Sequence, residues 1–305
     1  MLAALLTTLL FATSAICGYR TAKQVGGVEA NFWRITLATV FLTIWAFTLG
    51  RQFAGAPGWF MLSGFFGIGI GDSAYFQALP RLGSRRTVLL SQCLTAPFAA
   101  LLEWLWLGTR LHLAQGVCVA VILAGVAIAL APDDHLKISP RDWKIGLAAS
   151  VCGALGGALG AVVIRKGYAA IAAAGLSVDA GTTGYQRVLG GILLPTAALL
   201  VIKWRSAHAH GPLLDEKTWM VSREKWRRIW PWVLANALAG QTLGVTCMQW
   251  ALKTTQAGVV AAIIATSPIV LLPMTRIVDG EKIHLHSLLG ALIAVAGVIG
   301  LTFWG

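Results

Sequence analysis

Residues 117–131 and 288–303 each run on without one charged side chain. No other feature constrains the fold as much. A helix needs about 20 apolar residues to cross the ~30 Å hydrocarbon core of a bilayer. Such runs recur along the chain, and ten spans are expected: 2–19, 31–49, 58–79, 87–107, 112–131, 145–164, 183–202, 230–251, 257–278 and 285–304. Soluble domains carry about 25% charged residues. This chain of 305 residues carries 12%, beside 57% hydrophobic ones, too little charge to cover a water-exposed surface. Barrel strands would alternate apolar and polar residues rather than run apolar. The expected fold class is an all-α polytopic membrane protein, with the lipid bilayer as its partner and a bacterial-type inner cell membrane as its place. Trp59, Trp104, Trp106, Trp143, Trp204, Trp230, Trp232 and Trp304 fall near predicted span ends, where amphipathic rings anchor at the interface.

Charge and cysteine narrow the function. The net charge is +12, but seven of the 24 Lys/Arg lie in the loop 203–229 and the rest are scattered through short connections. Basic loops around spans orient a membrane protein, so no nucleic-acid partner is expected. Cys17, Cys93, Cys118, Cys152 and Cys247 sit inside predicted spans at unrelated spacings. They read as small packing residues, and no metal site or cofactor is expected. The first span lacks the basic n-region of a signal peptide, since no Lys or Arg precedes Arg20.

The chain also repeats itself. Residues 108–113 read GTRLHL and residues 280–285 read GEKIHL, 172 positions apart. At the same offset Leu123–Val126 falls on Val295–Val298. Ala78-Leu79 falls on Ala251-Leu252 at 173, Pro97 on Pro268 at 171, and Arg34 of NFWR on Arg187 of GYQR at 153. The basic loop 203–229 accounts for the changed offset. Two repeats are expected, 1–132 and 133–305, with five spans each. An odd count makes the second copy enter the membrane from the opposite face, and inverted repeats are a signature of secondary transporters.

The sequence also resembles the EamA-type branch of the drug/metabolite transporter superfamily. The resemblance rests on GDSAYFQALPRLGSRRTVLLSQCLTAP, LLEWLWLGTRLHLAQG, ILAGVAIAL, ALKTTQAGVVAAIIATSP, DGEKIHL and AVAGVIGL. Gly280-Glu281 keeps the family's Gly-Glu pair, whereas Thr109 stands where the first repeat would have Glu. The resemblance implies ten helices and export or exchange of small metabolites.

Charges buried in spans are costly and usually functional. Asp72 lies well inside the third span, with Tyr75, Phe76 and Leu79 on its helical stripe; its alternatives are a substrate or proton role, or a structural acid paired to an arginine or capping a helix break after Gly71. Glu103 is expected nearer an interface. Pro97 and Pro268 occupy corresponding places, and paired helix breaks point to a transporter's site. Ser91, Gln92 and Thr95 cluster before one of them, Thr266 and Ser267 before the other. Gln241 and Gln249 stand two turns apart in the eighth span. The expected substrate-binding set is Asp72, Tyr75, Gln92, Thr95, Gln241, Gln249, Thr266 and Ser267. Arg34 and Arg187, at the starts of the second and seventh spans, read as gates or as interfacial anchors. Gly153, Gly156, Gly157 and Gly160 form overlapping GxxxG pairs for close helix packing.

The function these residues point to is secondary transport of a small organic molecule by alternating access, with a proton as candidate coupling ion. Uncoupled facilitation or exchange is the alternative. Gly69-Ile70-Gly71-Asp72 also matches the GxGD of intramembrane aspartyl proteases, but such enzymes need a second aspartate, and no other predicted span holds one. Odd-numbered loops hold 16 Lys/Arg and even-numbered loops 5. That imbalance places both termini outside, while the resemblance implies both inside. Trp219, Trp226 and Trp230 share one side of a basic helix expected to lie on the membrane surface.

Overall fold

Every apolar run that can be followed becomes helix in the computed structural model, which describes residues 2–107, 113–130, 138–209, 223–254, 263–280 and 284–304. The elements are α1 (Leu2–Val25), α2 (Gly27–Thr48), α3 (Pro57–Gly64), a π-helical segment π1 (Phe65–Asp72), α4 (Ser73–Leu107), α5 (Leu113–Ala129) and α6 (Pro140–Ala173). There follow α7 (Ala180–Gly191), α8 (Leu193–Ala209), α9 (Arg223–Ala237), a second π-helical segment π2 (Leu238–Thr242), α10 (Leu243–Thr254), α11 (Ser267–Asp279) and α12 (Leu285–Trp304). The stretches Leu2–Val25, Gly27–Thr48, Pro57–Trp106, Pro140–Ala173 and Ala180–Arg205 are long and apolar enough to cross a membrane. The chain is a multi-pass helical membrane protein. The turns at 108–112, Glu281–Ile283, the expected boundary 132/133, much of the loop 203–229 with Trp219, and the Glu103 side chain lie outside the described residues.

Helix ends follow local chemistry rather than hydropathy. Ser139 Oγ accepts the Asp142 N–H at 3.1 Å, and Pro140 follows in the first turn, where its missing N–H costs nothing. So α6 begins at Pro140, before the expected 145, and runs to Ala173. Asp179 caps α7, and α2 begins directly after Gly26 (φ 84°). The expected loop 80–86 shrinks to a break at Gly83, whose φ of 82° and ψ of 164° interrupt α4 in a region that favours glycine.

Lipid tails are as apolar as leucine, so helices in a bilayer gain most from close van der Waals approach between small residues. A Cβ at Gly156 would lie 2.7 Å from Gly71 Cα, and one at Gly160 would lie 2.9 Å from Gly67 Cα. The GxxxG residues of α6 thus meet the glycines of π1 nearly backbone to backbone. A Cβ at Gly64 would sit 1.8 Å from the Arg187 carbonyl oxygen, which seats α7 against α3. Helices α5 and α12 meet through Gly125 against Ala294 and Gly297 against Ile122. Partner numbers fall along one helix as they rise along the other, so the pair is antiparallel. The largest buried cluster lies here, with Leu90, Cys93, Ile122, Ala294 and Val298. Leu105, Leu113, Ile277 and Phe303 are exposed on the outside, a face suited to lipid.

The packing crosses the expected boundary between repeats. Helix α1 lies against α9, π2, α10 and α11, while α6 lies against α3, π1 and α4. In α9, Trp226 packs on Trp33 with ring centroids 4.8 Å apart and the planes tilted by 58°, and Ile229 is buried. This turns Trp226 inward, so the expected surface helix docks part of its aromatic side on α2, leaving Arg227, Arg228 and Trp230 exposed.

Candidate functional site

The π1 segment ends on Asp72, two turns away from the Gly64–Arg187 contact. Its wider turn shifts the side-chain register and presents the carboxylate to α2 and π2. Arg34 Nη2 donates to Asp72 Oδ2 at 2.7 Å, and Gln241 Nε2 donates to the same oxygen at 2.7 Å. Arg34 Nη2 also donates to Asn31 Oδ1 at 2.9 Å, and Asn31 Nδ2 to Ser73 Oγ at 3.3 Å. The Arg34 guanidinium lies 4.7 Å from the centroid of the Phe76 ring, a cation–π contact. The side chains are 5% and 26% exposed for Arg34 and Asp72, so the acid keeps the more open side of the pair.

That side opens onto a cavity of about 230 Å³. Its polar wall is Arg34, Asp72, Tyr75, Ser91, Gln92, Thr95, Gln241 and Ser14, and its floor includes Gly67, Gly71, Gly153, Gly157 and Gly240. The glycines serve twice: they let the helices approach and leave side-chain-free space where they meet. The Ser91 hydroxyl is buried with no hydrogen-bond partner, while Thr95 Oγ1 donates to the Ser91 carbonyl at 2.6 Å. Ser14 Oγ donates to Asn236 Oδ1 at 2.7 Å, joining α1 to α9 beside the cavity.

Five of the eight expected binding residues therefore line one cavity: Asp72, Tyr75, Gln92, Thr95 and Gln241. Gln249 does not join them. The π2 turn breaks the helical spacing that would align it with Gln241, and Gln249 is buried, accepting from the Tyr168 hydroxyl at 2.5 Å. Thr266 and Ser267 do not line it either. Their hydroxyls donate to the carbonyls of Ile263 and Ile264, each at 2.6 Å. Pro268 occupies the first turn of α11, so it marks where a helix starts rather than a kink within one. Pro97 does sit inside α4, removing a hydrogen bond to the Cys93 carbonyl.

The arginines differ from expectation too. They sit two turns into α2 and α7, because both helices start before the hydropathy rises. Arg34 is buried in an ion pair instead of reaching an interface. Arg187 is partly buried; its Nε has no hydrogen-bond partner, and Nη2 stands 3.4 Å from where a Gly67 Cβ would be. Asn31, Ser14 and Asn236 belong to the site's network, although sequence reasoning passed over them. The signal for Asn31 was present, one helical turn before Arg34 in NFWR.

The model of the EamA-like transporter family matches residues 1–131 and 144–303. No curated protein matches the chain. One solved crystal structure, described only as that of a protein, is 17% identical, covers 98% of this chain and 96% of its own, and superposes with a TM-score of 0.56. At that identity it shows likeness of fold alone.

Proposed function

Because the chain belongs to the EamA-like transporter family, we propose that it is a secondary transporter that exports or exchanges small organic metabolites by alternating access. The observation that carries this is the cavity itself: a half-buried carboxylate, held by donors from α2 and π2, facing empty space between two packed groups of helices. The two inverted five-helix repeats, 1–132 and 133–305, find support in matching breaks. The π segments start at 65 and 238, α5 and α12 start at 113 and 285, and α2 and α7 start at 27 and 180. Those spacings are the repeat offsets of the sequence. The α5–α12 contact supports inversion, since Gly125 with Ala294 and Gly297 with Ile122 are equivalent pairs at an offset of 172. An isologous, antiparallel contact is what a two-fold axis in the membrane plane produces.

Asp72 is the candidate for proton coupling. Protonating it would break the Arg34 ion pair and free Gln241, loosening the tie between the cavity's two walls. A second reading, uncoupled exchange, draws on the same geometry: both donors to Asp72 are protein groups, so the carboxylate needs no ion from solution. The protease reading draws no support, because the carboxylate is held by Arg34 and Gln241 rather than by a second acid. Reconstituted Asp72→Asn protein decides between the first two. Coupling predicts that metabolite flux no longer responds to an imposed pH gradient. Flux that keeps both its rate and its pH response removes Asp72 from coupling.

A further inference from the structure

Arg187 places beside the cavity wall a charge that no carboxylate pairs directly. Among the described residues no carboxylate forms an ion pair with it, and its buried Nε has no acceptor. The repeat explains the asymmetry. Arg34 and Arg187 are equivalent positions, but only Arg34 is within ion-pair distance of an acid; Asp72 attracts Arg187 from farther off. At the offset of 173 set by the two π segments, the position matching Asp72 is Val245, and Val245 lines the same cavity. One repeat thus keeps an arginine–aspartate pair, and the other keeps the arginine and puts a valine where the acid would be. The guanidinium of Arg187 lies behind Gly67 of the cavity wall, with Nη2 3.4 Å from where a Gly67 Cβ would be, and Arg187 is not itself one of the lining residues. The lining charges Arg34 and Asp72 cancel, and Arg187 behind the wall leaves the cavity and its surroundings at a net +1. A buried unpaired cation is costly unless a counter-charge arrives.

We propose that the substrate is a small organic anion and that Arg187 receives its carboxylate or phosphate group, beside the Arg34–Asp72 pair. The proposal rests on the transporter reading and adds to it the substrate's charge. A planar guanidinium with free N–H groups suits either anion by paired, charge-assisted hydrogen bonds. In this arrangement the anion completes for the second repeat the ion pair that Asp72 completes for the first.

The test uses the full chain in detergent and its thermal unfolding midpoint with three matched pairs of probes: benzoate and benzamide, succinate and succinamide, glycerol 3-phosphate and glycerol. At least one anion should raise the midpoint while its uncharged partner does not, and which pair responds separates carboxylate from phosphate. Arg187→Gln should raise the half-maximal anion concentration at least about tenfold, with Arg187→Lys in between. Gly67→Ala guards against a misfolded Arg187 variant: its methyl would meet Nη2 at an ordinary 3.4 Å and cover the guanidinium without removing its charge, again weakening the response. The proposal is overturned if no anion stabilises, if neutral partners stabilise equally, or if Arg187→Gln and Gly67→Ala respond as the wild type does. Proteoliposome flux separates the two readings. A neutral probe carried equally well by wild type and Arg187→Gln keeps the transporter and removes the anion site. Anion binding that depends on Arg187, with no probe carried at all, does the reverse.

Discussion

A carboxylate held at 2.7 Å by both a guanidinium and a carboxamide ties three elements together through one oxygen atom. Removing either charge leaves the other stranded in a low-dielectric site, which costs more than the pair itself contributes. Asp72→Asn and Arg34→Gln should each lower unfolding stability by roughly 3 kcal/mol, and the double variant by clearly less than their sum. Denaturation of the purified variants measures this, and additive losses would mean that the pair is not coupled. The cycle also guards the transport test, because an Asp72→Asn protein that has lost flux can be compared with the double variant, in which no charge is stranded. At this scale the sequence was partly readable. A lone acid inside an apolar run pointed to Asp72, and an arginine partner was one of its readings, beside a substrate or proton role and a helix cap after Gly71. Which arginine it would be was not readable, because that depends on how far into α2 the membrane-facing pattern begins.

Helix ends and register breaks decide which residues meet. Asp179 starts α7 by accepting from the Thr182 N–H at 2.9 Å, the Thr182 hydroxyl at 2.5 Å and Trp45 Nε1 at 3.1 Å. The start of α7 also holds the distant α2–α3 connection: Thr182 Oγ1 accepts from the Arg51 N–H at 2.9 Å, and Gln186 Nε2 donates to the carbonyls of Gln52 and Ala54. Burial alone would raise the Asp179 pKa, but these hydrogen bonds outweigh it and hold the carboxyl below its ordinary range. A depressed folded-state pKa gives stability that is present above the unfolded value and lost as pH falls through the folded one. Wild type should therefore lose stability as pH drops below about 4, and Asp179→Asn, which can still cap but cannot titrate, should lose less over that interval. Thermal midpoints at pH 6 and pH 3 compare them; equal pH dependence would rule out the cap as its source. The π segments were the least legible elements. Hydropathy is the same for an α turn and a π turn, so GIGIGD read as plain helix, and the alignment of Gln241 with Gln249 failed for that reason.

On the whole-molecule scale, sequence order and packing order differ. The first helix of each expected repeat packs on the third and fourth spans of the other, α1 on α9–π2–α10 and α11, α6 on α3–π1–α4. Self-similarity is the ground for expecting one unit used twice, but it carries no sign of helices exchanged between copies, because exchange leaves every helix's own pattern unchanged. It also places the cavity wall: Ser14 and Gln241 stand on one packed group, Asp72 and Gln92 on the other, and the Asp72–Gln241 bond spans them. If alternating access rocks these groups about a two-fold axis, contacts lying on the axis should persist through the cycle while contacts across the cavity change. The α5–α12 pair is the candidate for the axis, since its contacts map onto themselves at the repeat offset. A Cβ at Gly300 would lie 2.9 Å from Cys118 Sγ, near enough for a disulfide to close without backbone movement. Oxidised Gly300→Cys protein should therefore lose the Cys118 thiol together with the introduced one, and still carry substrate in proteoliposomes within about twofold of its reduced rate. Transport that stops on oxidation and returns on reduction would move the pivot away from these helices and place them among the parts that slide.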